Sequence, residues 1–175
     1  CLADLRNRFG SAECKFVFTF ISGPLPAGLE AQFEADAPLL PHNTKPKMIP
    51  SSAKGKKTAT QFRLLGESAG SWTLWEARTA FFRPHQIRAH AAVHGISILG
   101  DELYDGLPVP ALRDLKIKGR GAGLNAPALD RMPLHLSECQ LDESTLIRSE
   151  LPNALQLFLK RTQMTDISAE CSDAP

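Results

Sequence analysis

No apolar run in this sequence approaches the roughly 18 residues of a membrane-spanning helix, and no secretory signal is visible. The chain also lacks an excess of charge of either sign. Twenty basic residues stand against 19 acidic ones, a net charge of +1, so no global field announces a nucleic-acid partner. Cysteine is scarce, and the four present (Cys1, Cys14, Cys139, Cys171) have no C-x-x-C spacing. That argues against a zinc site and against a thioredoxin-like motif, and reduced thiols in a cytoplasmic protein are the simplest reading. No segment repeats. No initiating methionine precedes Cys1, which leads us to expect a sequence that begins mid-gene rather than a processed lipoprotein.

What is present fits one soluble domain, or most of one. The 175 residues are 43% hydrophobic and 22% charged, enough for a sizeable core. The even charge balance hides a local bias: Lys45, Lys47, Lys54, Lys56, Lys57 and Arg63 follow one another with no acid among them. Such a run can contact phosphates, or be a solvated basic loop.

Apolar spacing predicts the elements. Leu2, Leu5 and Phe9 suggest the end of an amphipathic helix. Cys14 to Ser22 is a β-rich run closed by Gly23-Pro24, apolar on both faces and so an interior strand. Six prolines between residues 24 and 55 predict a long loop, with one short strand near Leu29 to Phe33. Thr58 to Leu65 and Ser71 to Thr79 read as an antiparallel pair across a Gly66–Gly70 turn. Residues 105 to 130 are loop-rich. Gly119, Gly121 and Gly123 make only a weak phosphate cradle, since no strand precedes them and no Lys-Ser/Thr follows. Leu134-His135-Leu136 begins another strand. Leu151 to Thr162 is an amphipathic helix with Leu151, Leu155, Phe158 and Leu159 inward, and a polar tail follows from about residue 164.

The stretch that organises the rest is Arg83-Pro84-His85-Gln86-Ile87-Arg88-Ala89-His90, followed by Ile98-Leu99-Gly100-Asp101-Glu102-Leu103-Tyr104. Pro84 suits a first helical position, and Gly95 suits the place just past a helix end. Pro84, Ile87, Arg88, Ala91 and His94 then share one face, with Arg88 at its edge. A guanidinium there needs a carboxylate or phosphate partner, unless a local acid already supplies one.

These residues resemble the signature of the RluA-type pseudouridine synthases, roughly T-G-R-x-H-Q-[IL]-R-x-H and then G-x-P-[IL]-x-G-D-x-x-Y. Arg83, His85, Gln86, Ile87, Arg88 and His90 match the first part; Gly95, Ile98, Gly100, Asp101 and Tyr104 match the second. Lys15 to Gly23 is similar to the family's K-x-Y-x-A-x-V-x-G strand. Gly55-Lys56 with Thr58, Thr60 and Phe62 is similar to G-K-x-A-x-T-x-[YF]. Arg131 to His135 resembles R-x-x-L-H-A, and Leu151-Pro152 the closing L-P. The resemblance covers residues 2 to 162. It implies an α+β chain with the pseudouridine synthase fold, a mixed, largely antiparallel sheet with flanking helices, here lacking its N-terminal third. Residues 1–175 would then be the C-terminal two-thirds of one catalytic domain.

The function implied is isomerisation of uridine to pseudouridine in structured RNA, either rRNA or tRNA, by a single Asp carboxylate with no metal and no cofactor. A monomer without membrane attachment is expected. The target base must leave its stack, so the site should be a deep pocket with an apolar or aromatic floor. The family's Asp lies in H-R-L-D-x-x-T-S-G, which is absent here, and Asp4 lacks that setting. By the resemblance, Arg88 pairs with the absent Asp, and without it is left an unpaired cation able to hold phosphate. Arg83, His85, Gln86, Val17, Phe18, Lys56 and Lys57 would form the substrate and RNA-binding set, with His85 and Gln86 bracing the strand-to-helix turn. Asp101 is expected to cap the Gly100 turn. Tyr104 is expected to pack with its hydroxyl at the surface, and His135 to be a satisfied core histidine. Two departures fall at the pocket: Val17 stands where the family has tyrosine, and Phe81-Phe82 replaces Thr-Gly. They leave open an inactive relative that binds RNA, and a domain whose resemblance is historical only.

Overall fold

Successive side chains of an extended strand leave opposite faces, and β1 (Lys15–Ser22) uses this to serve two cores. Phe20 packs on one side with Phe62, Trp75, Ala77, Ile87 and Ala91. Its neighbour Ile21 packs on the other with Leu65, Leu74, Leu155 and Phe158. The computed structural model describes residues 14–69, 71–115, 122–142 and 144–164. After β1 come β2 (Gln32–Ala35), β3 (Leu39–Pro41), β4 (Met48–Pro50), β5 (Thr60–Ser68) and β6 (Trp72–Thr79). Helix α1 (Gln86–Val93), β7 (Leu134–Gln140), β8 (Leu146–Arg148) and helix α2 (Asn153–Arg161) complete the order.

Six strands form one sheet in the order β2-β5-β6-β1-β7-β8, so β1 is interior as its two apolar faces predict. Every pairing in it is antiparallel. The helices lie on opposite faces: α1 supplies Ile87 and Ala91 to the Phe20 side, and α2 supplies Leu155 and Phe158 to the Ile21 side. The result is the α+β arrangement expected, a largely antiparallel sheet with flanking helices.

The structure corrects several expectations. Residues 24 to 55 are not one long loop with a strand at Leu29 to Phe33. The strand falls at Gln32–Ala35, and β3 and β4 pair as a separate hairpin. Their three-residue length and their prolines hid them from any periodicity argument. Pro84 does not open the helix. Gln86 N–H donates to the Arg83 carbonyl at 3.0 Å, closing a turn that contains Pro84, and His85 takes a left-handed φ of 56° before α1 starts. Proline's fixed φ suits the second residue of such a turn as well as a first helical position, so the residue type alone cannot distinguish them. The other end is as expected: Gly95, with φ 73°, follows the helix cap His94. Met164, the last described residue, is buried in the α2 core. The helix proposed over residues 2–9, Asp4, Gly119 and Gly121 lie outside the described residues.

The second half of the signature is tied to β1 by main-chain bonds. Leu99 N–H donates to the Ile21 carbonyl at 2.9 Å, and Ser22 bridges Ile98. Gly100 then turns with φ 76°, and a Cβ there would meet Val109 at 2.9 Å. A glycine at that bend meets both the conformational and the steric need.

Candidate functional site

At one end of the sheet, where β1 and β5 begin and β6 ends, α1 is bound to the strands by a buried polar set. Gln86 is 1% exposed. Its Oε1 accepts from Arg83 N–H at 2.9 Å, and its Nε2 donates to the Ala59 carbonyl (3.0 Å), Thr60 Oγ1 (3.1 Å) and Thr79 Oγ1 (3.2 Å). His90 is fully buried one turn on. A carbonyl can only accept, so the contact at 2.9 Å to the Ala37 carbonyl makes Nε2 the protonated nitrogen, and Nδ1 accepts from Thr60 Oγ1 at 2.9 Å. The resemblance groups Gln86 with the RNA-binding residues. Its amide is spent inside the protein, so its effect on any ligand runs through the Arg83 turn it holds.

Arg88 leaves the same helix on the other flank, and here the sequence reading needs its main correction. It is not an unpaired cation. Asp101 accepts from Nε at 2.7 Å and from Nη2 at 2.7 Å, a bidentate pair. The carboxylate is almost fully buried and the guanidinium 18% exposed. Instead of capping the Gly100 turn with its side chain, Asp101 spends the carboxylate on Arg88 and holds the turn through its main chain. Asp101 in turn raises the guanidinium pKa further above its usual value.

From Arg88 a hydrogen-bonded chain runs outward. Arginine can only donate, so the 3.1 Å contact from Nη1 makes His85 Nε2 an acceptor, and Nδ1–H donates to Tyr104 Oη at 3.2 Å. Tyr104 Oη accepts from Met48 N–H at 2.8 Å and donates to the Met48 carbonyl at 3.3 Å. Its hydroxyl is therefore anchored to β4 rather than at the surface, and the β3–β4 hairpin is fastened to the signature through it. The guanidinium of Arg88 and the ammonium of Lys47 lie 5.0 Å and 5.7 Å from the Tyr104 ring centroid, within cation–π range. Burial, and then the Arg88 charge, lower the His85 pKa; burial raises that of Tyr104. Asp101 and His85 use three of Arg88's five N–H groups, so among the described residues two remain for a further acceptor.

The remaining predicted residues do not share one cavity with Arg88. Val17 lines a hollow of about 400 Å³ with Lys15, Glu34, Gln61 and Arg78, and Arg88 is not in its wall. Phe18 packs against the α1 core and meets Phe82 edge to face. Lys56 and Lys57 are exposed beside the start of β5. Arg63, the last cation of the basic run, is bound to Glu76 at 3.2 Å and 3.3 Å, so it is not open to phosphate like the lysines. His135 is not a core histidine; it is half-buried and bonds the Ser149 carbonyl at 3.2 Å. Sequence reasoning missed Thr60, Thr79 and the Asp101 pairing. Asp101 had a signal, an acid 13 residues after the arginine behind two glycine turns. Thr60 had one as well, since it stands at the threonine of the G-K-x-A-x-T-x-[YF] pattern; Thr79 had none beyond lying on a strand.

His85, His90 and His94 all have pKa values lowered from 6.5, with burial the largest cause in each. Near His90 the charges are His94, which lowers it further, and Asp36, which opposes. These histidines fold neutral. Below about pH 6.5 the unfolded chain takes up protons the native chain refuses, so stability falls as pH drops through that value. For fully buried His90 the loss by pH 5 is at most about 2 kcal/mol. We expect a lower urea midpoint at pH 5 than at pH 7; an unchanged or higher one would contradict the neutral assignment.

No family model matches the chain. It is 29% identical over 140 residues to an uncharacterized RNA pseudouridine synthase of Synechocystis, covering 77% of this chain and 46% of that protein. It is 35% identical over 75 residues to ribosomal large subunit pseudouridine synthase D of Haemophilus influenzae, covering 43% and 23%. The corresponding synthase of Zymomonas mobilis is 28% identical over 146 residues, covering 77% and 42%. The chain thus spans less than half the length of these relatives. Among solved structures it resembles human RNA pseudouridylate synthase domain-containing proteins 4 and 1. For the first, the TM-score is 0.64 at 20% identity, over 94% of this chain and 66% of that one. For the second, the TM-score is 0.57 at 18% identity, over 87% and 58%. At these identities the likeness is one of fold.

Proposed function

We propose that this chain, which belongs to the RluA-type pseudouridine synthases, forms the RNA-holding and carboxylate-orienting part of an enzyme that isomerises uridine to pseudouridine in structured RNA. One observation carries the reading: the signature positions form two hydrogen-bonded clusters on either flank of α1, the second joining both halves of the signature. Gln86 and His90 fix the helix to the strands; Arg88, His85, Tyr104 and Asp101 form the other cluster. In the reaction the N-glycosidic bond of uridine breaks, the base rotates and a bond from C5 to the ribose C1′ forms; C5 loses a proton, N1 gains one, and nothing is consumed overall. A carboxylate from a segment outside this sequence would be received by the N–H groups that Asp101 and His85 leave on Arg88. Fixed by Asp101, that guanidinium is already oriented, and its charge keeps an incoming carboxylate ionised. Either rRNA or tRNA suits this reading, as do a cytoplasmic monomer and chemistry without metal or cofactor.

The pairing of Arg88 with Asp101 also favours a second reading, a relative that binds RNA without modifying it, because the arginine here already has its carboxylate. The two are separated by tritium release from transcripts labelled at uridine C5. Extended in frame to include an H-R-L-D-type segment, the protein should release tritium from an rRNA or tRNA transcript, while the 175-residue chain alone should release none. Release by the chain alone would overturn the need for an added carboxylate. An extended protein that binds both RNAs but releases nothing would leave the binding relative.

A further inference from the structure

Where β6 ends, the chain leaves two large rings in solvent: Phe81 is 38% and Phe82 40% exposed. They are not loose. Phe82 is held edge to face by Phe16, with ring centroids 4.9 Å apart, and by Phe18, 5.4 Å apart. The backbone beneath them is fastened on both sides. Thr79 Oγ1 lies 2.7 Å from the Phe81 carbonyl and 2.8 Å from the Ala59 carbonyl, and Gln86 holds Arg83 N–H. Arg83 carries its guanidinium 5.3 Å from the Phe81 ring centroid, and its Nε is buried with no partner among the described residues. Ala59, tied to the same threonine, lies two residues after exposed Lys57 with Lys56 before it, and Lys15 begins the strand that pairs with β6. The place is therefore an aromatic step with Phe82 fixed, beside an arginine whose Nε has no partner among the described residues; Lys15, Lys56 and Lys57, and one acid, Glu34, lie on the strand ends and loop around it.

We infer that Phe81, Phe82 and Arg83 form a stacking step for one unpaired RNA base, with Lys56 and Lys57 taking the adjoining phosphates. The inference rests on the RNA reading above and deepens it. Rings fixed by packing and main-chain bonds lose little freedom when a base settles on them, and a guanidinium plane stacks on bases as rings do. A flat ring beside cations suits a nucleotide, which offers a π-face and a phosphate at once. A purely apolar protein segment would leave Arg83 without an acceptor.

The test uses the full chain and two probes, a single-stranded uridine-rich dodecamer and a duplex of the same length, followed by fluorescence anisotropy at two salt concentrations. Phe81→Leu/Phe82→Leu should weaken the single strand about tenfold, leaving its salt dependence and the duplex affinity unchanged. Phe82→Trp should keep single-strand binding. Lys56→Gln/Lys57→Gln should instead weaken both probes and flatten the salt slope by about two charges' worth. Unchanged duplex binding also shows that the leucine variant is folded. If it holds the single strand as tightly as the parent, or loses both probes equally, the stacking step is wrong while RNA binding stands. If the parent binds neither probe, the RNA reading itself fails. If the leucine variant alters only self-association in sedimentation, the step is a protein contact and the inference is overturned.

Discussion

Replacing Arg88 by methionine should cost about 3 kcal/mol of folding stability, and replacing Asp101 by leucine in the same chain should restore most of it. The first figure follows from what remains behind. Asp101 is 2% exposed, and its two oxygens receive their short bonds from Arg88. Breaking a buried pair by removing one partner leaves an uncompensated charge and typically costs about 3–5 kcal/mol; the 18% exposure of Arg88 places this case at the lower end. Recovery is expected because replacing both partners by apolar groups of similar volume removes the desolvation cost of each. Urea unfolding of the single and double variants, at constant slope, measures both steps. A loss below about 1 kcal/mol for the single variant would mean that water already screens the pair, as at a surface bridge. The double variant also bears on function: it keeps the fold but has no guanidinium to receive a second carboxylate, so an extended enzyme carrying it should be silent.

That pair marks the boundary of what the sequence discloses. The aromatic and apolar residues on both faces of Lys15 to Ser22 placed β1 inside the sheet, because a strand buried on both faces reads as a near-continuous apolar run. The spacing of Leu155 and Phe158 likewise located α2 and its inner face. The signature located the site. What was not legible was partner choice. Arg88 announced a need for an acid, yet nothing local separated Asp101 from a carboxylate supplied by another segment. Only the turn at Gly100, bonded back to Ile21, brings the acid under the guanidinium. Met48 and Ala37 anchor Tyr104 and His90 through main-chain atoms, which every residue has and no motif can signal. The β3–β4 hairpin escaped for a related reason: three residues per strand hold too few alternations to separate from loop.

Gln86→Leu should be nearly as costly as the loss of Arg88, again about 3 kcal/mol, although it introduces no charge and fills the same space. Leucine can neither accept from Arg83 N–H nor donate to Thr60, Thr79 and Ala59. The stranded Arg83 N–H alone costs about 1–3 kcal/mol, and each remaining bond about 1 kcal/mol more where no other partner substitutes. Substitution is partial: Thr79 Oγ1 also reaches the Ala59 carbonyl, and Thr60 Oγ1 still meets His90. That is why the total stays near 3 kcal/mol and not above it. The effect should also be local in a way a general core defect is not. The Arg83 amide, bonded to Gln86 Oε1 at 2.9 Å in the parent, should exchange with solvent far faster, while the Phe20 and Trp75 amides in β1 and β6 speed up only as far as the loss of global stability requires. Uniform acceleration across the sheet would show that Gln86 is merely core. A selective change at Arg83 would show that it aims the turn, setting the direction of Arg83, the Phe81-Phe82 step before it and the helix that carries Arg88.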